Sequence, residues 1–93
     1  MNDLKNYGFR KGFDWETRFV LKTQVGNYKV STVDLGIDHN MFGDKPLYYE
    51  TMIFSDDEDN QFEYYQERYT TEEEARKGHE EAIKHVKEHL KED

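Results

Sequence analysis

The sequence contains no cysteine. Disulfide staples, thiolate nucleophiles and cysteine-ligated zinc are thereby excluded. Proline occurs once, at Pro46, and no Pro-rich linker divides the chain. Glycine is sparse, six residues in all, and they spell neither a glycine-rich phosphate loop nor an activated-serine motif. Positive charge is also short: 13 Lys plus Arg stand against 21 Asp plus Glu, a net charge of −8. DNA and acidic membrane surfaces reward clustered Lys and Arg, so neither is an expected partner. A basic protein surface suits this balance better, including surfaces that bind nucleic acid. No run approaches the roughly 18 apolar residues of a membrane span. The opening MNDLKNYGFRKGF lacks the apolar centre of a signal peptide, so a cytoplasmic location is expected.

A chain of 93 residues makes one domain at most, with a thin stability margin. Only 34% of its residues are hydrophobic and 37% are charged, a balance that tilts toward disorder. Seven Tyr, six Phe and one Trp reverse the tilt, because each ring buries roughly 150–250 Å².

Residues 1–14 show no period and read as an arm or a short packed segment, ahead of a single domain over 15–93. Strands are expected over about 15–24, 28–37, 47–55 and 62–69. In the first, Phe19, Leu21 and Thr23 share a face; in the second, Val33 and Leu35 point opposite to Thr32 and Asp34. Gly26-Asn27 is a two-residue hairpin turn of the primed kind. Asp38 to Pro46 is a loop, with Pro46 at its exit because it has no N–H to donate to a ladder. Asp56 to Gln61 is a solvated turn. A helix is expected over about 71–91, opened by a capping box of Thr71 with Glu74, or Thr70 with Glu73. Ala75, His79, Ala82, Ile83, Val86 and Leu90 form its apolar stripe. The expected fold is α+β: an antiparallel sheet of about four strands packed on one face by a C-terminal helix.

From about Thr17 to Val86 the chain resembles a family of small, uncharacterised proteins common in bacteriophage and prophage genomes. The shared residues are Val30-Ser31-Thr32-Val33, Leu35-Gly36, Asp38-His39, Pro46, Glu50-Thr51-Met52 with Phe54, Glu67-Arg68-Tyr69, Thr71, Glu73-Glu74-Ala75 and Gly78-His79. The chain departs from the pattern at Asp34, where a large apolar residue is common, and in Asn40–Lys45, which has one glycine where relatives have several. The resemblance implies a phage or prophage origin, hence the cytoplasm of a host cell, and no particular chemistry.

The polar residues that can converge are Asp38 and His39 on the loop, Glu50 in mid-strand and His79 on the helix stripe. A histidine facing a carboxylate is a general acid/base pair or half a metal site. The alternative is a buried, hydrogen-bonded histidine that orients the helix. The strand faces decide: if Thr51 and Ile53 face the helix, Glu50 faces away from His79. Glu50 is expected to face solvent or to find a donor in His79, Arg68, Tyr64 or Tyr69, since an unpaired buried carboxylate is too costly. His85 and His89 have metal-compatible i, i+4 spacing without a closed ligand set. Asp56–Asp59 lacks the glycine and the bidentate glutamate of a calcium loop. Tyr48, Tyr49, Tyr64, Tyr65 and Tyr69 among Glu50, Glu63 and Glu67 suggest an aromatic and acidic sheet surface of the kind that anchors protein partners.

The expected function is a non-enzymatic, acidic accessory protein that binds and modulates a host or phage protein, including by mimicry of nucleic acid. Asp38, His39, Glu50, Tyr64, Arg68 and His79 are the candidate binding residues, and a homodimer through the open sheet face is a further expectation. No cofactor or metal is expected. Two alternatives stand beside this. One is a small-ligand or nucleotide-signal binder, which requires Arg10, Lys11, Lys45 or Arg68 to cluster. The other is a minor enzyme built on Glu50 and His79.

Overall fold

The computed structural model describes residues 10–38 and 45–91. Four antiparallel strands run in sequence order: β1 (Val20–Val25), β2 (Tyr28–Asp34), β3 (Tyr49–Ser55) and β4 (Gln66–Tyr69). One helix, α1 (Glu72–Lys91), follows. This is the expected α+β arrangement.

β1 folds back on β2 with Val25 opposite Tyr28. Gly26 takes a φ of +60°, and no other residue of that turn has a positive φ. That is the II′ hairpin turn, whose twist matches the strands it joins.

Three expected boundaries are corrected. The segment from Trp15 to Phe19 is irregular rather than extended, and β1 begins only at Val20. The Phe13 and Trp15 rings meet edge to face at 5.1 Å, and the Arg18 guanidinium lies 4.7 Å from the Trp15 ring centre. At its other end β2 stops at Asp34 rather than 37. Gly36 there has a φ of +77°, and a Cβ on it would lie 2.8 Å from Phe13 Cζ. Residues 62–65, expected in the fourth strand, form a turn instead. Asn60 Oδ1 accepts the Phe62 N–H at 2.8 Å and the Phe62 carbonyl accepts the Tyr65 N–H at 2.9 Å, so pairing starts at Gln66.

The register sorts the two sheet faces. Tyr28, Val30, Thr32 and Asp34 of β2 lie opposite Ser55, Ile53, Thr51 and Tyr49 of β3, and this face meets α1. Val25, Tyr28, Val30 and Ile53 pack against Ala82 and Val86 in an apolar half-core, with Phe62, Tyr65, Ile83 and Leu90 at its border. The other half is polar: Thr32, Thr51 and His79 are buried there.

Helix α1 starts with the capping box of Thr71 and Glu74. The Glu74 N–H donates to Thr71 Oγ1 at 3.1 Å and the Thr71 N–H to Glu74 Oε1 at 3.1 Å. These donors, the Thr71 N–H foremost, hold the Glu74 carboxyl below its ordinary pKa.

Before β1 the chain is tied down by Arg10. Its guanidinium grips Asp34 with both terminal nitrogens, Nη1 to Oδ1 at 2.9 Å and Nη2 to Oδ2. Its carbon lies 5.0 Å from the Tyr48 ring centre and 5.8 Å from those of Phe13 and Tyr49. The buried carboxylate of Asp34 is thus compensated by a cation delivered from outside the sheet.

Candidate functional site

His79 lies 3% exposed under the sheet with both ring nitrogens occupied. Nδ1 is 2.7 Å from Thr32 Oγ1 and Nε2 is 2.9 Å from Thr23 Oγ1. Thr32 Oγ1 in turn sits 2.5 Å from Thr51 Oγ1, which accepts the Tyr69 hydroxyl at 3.1 Å. The row is satisfied when Tyr69 donates to Thr51, Thr51 to Thr32, Thr32 to Nδ1 and Nε2–H to Thr23, with the imidazole neutral; the other neutral tautomer, with Nδ1–H to Thr32 and Thr23 to Nε2, satisfies it as well. Burial pushes the His79 pKa down, in the same sense, against a smaller opposing effect of Glu80.

Tyr69 reaches this row because Gly78 leaves room for it. A Cβ at Gly78 would fall on the tyrosine ring. Helix position 78 is therefore a notch through which a β4 side chain enters the core.

Glu50 is on the other face of the sheet. Thr51 and Ile53 face the helix, so Glu50 points away from it. Its Oε2 accepts from Arg68 Nε at 2.9 Å and from Gln66 Nε2 at 2.8 Å. Arg68 lies directly opposite in the ladder, as one of the anticipated donors. The acid/base pairing of Glu50 with His79 is thereby ruled out: the two are separated by the sheet, and His79 is already saturated by threonines.

The remaining candidates do not join either group. Asp38 Oδ1 accepts the Leu47 N–H at 2.8 Å and so bridges the ends of its loop. His39 lies outside the described residues, as does most of that loop. Tyr64 is 91% exposed in the turn before β4 and is not a donor to Glu50.

Among the described residues no group of three or more His, Asp or Glu is placed to share a metal ion. His89 packs edge to face on Phe62 and Tyr28 at 5.3 and 5.9 Å, and His85 tilts over Tyr65 at 6.0 Å. The i, i+4 pair thus borders the core. Burial raises the hydroxyl pKa of that Tyr65 to about 12.

Shallow clefts lie among the described residues. One, of about 170 Å³, lies beside Arg10, Phe13, Arg18 and Asp34. Its two cations are engaged, Arg10 by Asp34 and Arg18 over Trp15. Another, of about 450 Å³, is lined by Asp57, Asp59 and His89 and carries the wrong charge for a phosphate.

The face opposite the helix is the remaining surface of note. Its register rows are Val20, Val33, Glu50 and Arg68; Lys22, Ser31, Met52 and Gln66; and Gln24, Lys29 and Phe54. Phe54 is 47% exposed and Val20 37%. The expectation of an aromatic and acidic surface is corrected here. The strand tyrosines Tyr28, Tyr49 and Tyr69 all lie on the helix side, and Tyr64 and Tyr65 are in the preceding turn. The open face is instead apolar and cationic.

No helix among the described residues is long and apolar enough to cross a membrane. Comparison of the chain with family models, with curated proteins and with solved structures finds no match.

Proposed function

We propose that this protein is a non-enzymatic phage or prophage accessory protein that docks on a host protein through the open face of its sheet. The observation that carries the reading is that face itself. Val20 and Phe54 stand exposed, and on the same face the Glu50 carboxylate is already matched by Arg68 and hydrogen-bonded by Gln66. A small sheet with a helix on one side leaves such a surface for a partner.

Other readings lose their support. Arg10 is bound to Asp34 on the helix side and Arg68 to Glu50 on the open side, so two of the four cations a phosphate ligand would draw on are engaged on opposite sides of the sheet. Mimicry of nucleic acid needs a continuous acidic surface, whereas the six glutamates of α1 alternate with five Lys or Arg.

The test uses wild-type protein and a Val20→Asp/Phe54→Asp variant as parallel baits in host lysate. Both positions are partly buried in strands, where Asp fits poorly, so the melting temperature of the variant is measured first and a milder Val20→Thr/Phe54→Thr bait runs alongside it. A protein identified by mass spectrometry, held by the wild type and released by the variants, is the expected result. Equal recovery on all three baits would remove the open face from the interaction.

A further inference from the structure

We infer that the occupant of the open face is a short acidic segment of another protein, with Asp or Glu flanking large apolar side chains. This rests on the docking role proposed above and names the partner's chemistry. The sign is opposite to the one that net charge suggests.

The open face carries Lys22, Lys29 and Arg68 against one carboxylate, Glu50, in a chain whose net charge is −8. Glu50 is matched by Arg68. Lys22 and Lys29 form no ion pair among the described residues. The register puts Lys22 opposite Ser31 and Lys29 opposite Gln24 and Phe54, so the two lysines are diagonal neighbours on adjacent strands. The two ammonium groups concentrate positive charge on one exposed patch of the face. An acidic ligand matches that charge and gains two charge-assisted contacts.

Protection of a sheet edge explains only one of them. Lys22 lies on edge strand β1, where lysine discourages pairing with other chains. Lys29 lies on β2, an interior strand, where no edge needs protection. It stands beside Phe54, and an exposed phenylalanine next to an unmatched ammonium fits an apolar anchor flanked by a carboxylate.

Two other occupants fit less well. A second copy docked face to face would set one cationic patch on another. A nucleic acid strand would run past the patch into the turn of Asp56–Asp59, whose first carboxylate is held at the margin of the face by Gln24 at 2.9 Å. A short segment avoids that turn.

The probe is a random-peptide display library selected on immobilised protein. The representative peptides are then made synthetically and titrated by fluorescence anisotropy against wild type, Lys22→Glu/Lys29→Glu and Val20→Asp/Phe54→Asp. Enrichment of acidic peptides with Leu, Phe or Trp is expected. Affinity should fall about tenfold or more in the lysine variant, and should also fall steeply with added salt. Enriched peptides that are neutral or basic, or that bind the lysine variant as tightly as wild type, overturn the inference. If such peptides are nonetheless lost with the Val20/Phe54 variant, docking on the open face survives without its acidic partner. If they bind all three proteins equally, or if nothing is enriched, both fall together.

Discussion

Thr32 Oγ1 and His79 Nδ1 lie 2.7 Å apart beneath the centre of the sheet. Helix α1 is thus fastened to β2 by a hydrogen bond that water does not reach. Because His79 also meets Thr23 on β1, one imidazole joins two strands to the helix. Removing it leaves two hydroxyls short of a partner and a cavity above them. His79→Ala is expected to destabilise the fold by about 2–4 kcal/mol. Combined with Thr32→Val the losses should be less than additive, because the partners share one interaction. Urea unfolding of the four proteins of that cycle measures the coupling.

The same residue makes stability depend on pH. Burial favours the neutral imidazole in the folded state, so the folded pKa lies below the ordinary value of 6.5. The unfolded chain therefore binds the proton first as pH falls. The contribution of His79 is fully present above about pH 6.5 and declines as pH drops toward its folded pKa. Thermal melts from neutral pH downward should show that decline, and His79→Gln should flatten it within the window set by the histidine.

Gly78 reverses a familiar expectation. Glycine in the middle of a helix is ordinarily worse than alanine by about 1 kcal/mol. Here the added methyl would stand in the Tyr69 ring. Gly78→Ala is expected to destabilise by about 1–3 kcal/mol, as an overpacked core does. Tyr69→Phe/Gly78→Ala would not relieve it, since the ring itself is in the way; Tyr69→Ala/Gly78→Ala would. Chemical denaturation of the variants reads the difference directly.

Much of this architecture was legible in the residues. The II′ turn at Gly26-Asn27, the capping box of Thr71 with Glu74 and the helix stripe through His79 rest on contacts between near neighbours in the chain. Alternation grouped the strand residues by face and set the condition under which Glu50 and His79 would part, without saying which face the helix covers. What stayed hidden depends on distant pairs. Arg10 and Asp34 are 24 residues apart, and nothing local marks Arg10 as a partner. The notch at Gly78 is invisible until β4 and α1 are packed. The strand-like run of Phe62–Tyr65 failed because the side chain of Asn60 captured the Phe62 N–H and turned the chain. The open face was misjudged in part for the same reason: Tyr64 and Tyr65 precede β4 instead of lying in it, while Tyr49 and Tyr69 are in the sheet but on its helix side.

Asp34 should be costly to isolate. It is 3% exposed, and Arg10 supplies two of its donors. Its Oδ1 also accepts the Gly36 N–H at 2.9 Å. Arg10→Met leaves the carboxylate buried with that one donor, at an expected loss of about 3 kcal/mol. Adding Asp34→Leu should recover most of it, because it removes the buried carboxylate and sets an apolar side chain opposite Tyr49, next to the Met that replaces Arg10 among the rings of Phe13, Tyr48 and Tyr49. No recovery in the double variant, measured by urea unfolding, would mean the segment from Arg10 contributes through its rings rather than its charge.

Glu50 and His79 provide the last expectation. Glu50→Gln keeps a carbonyl for one donor but surrenders the charge opposite Arg68, which is about one-third exposed and so partly screened. The expected loss is about 1–2 kcal/mol. Nothing connects that loss to the threonine row on the far side of the sheet. The double variant Glu50→Gln/His79→Ala should therefore lose the sum of the two single losses, to within about 0.5 kcal/mol. A shortfall well beyond that would mean the two residues communicate through β3, where Glu50 and Thr51 are adjacent and point to opposite faces. Additivity would leave Glu50 with one role, that of holding Arg68 and Gln66 flat on the face where a partner is proposed to dock.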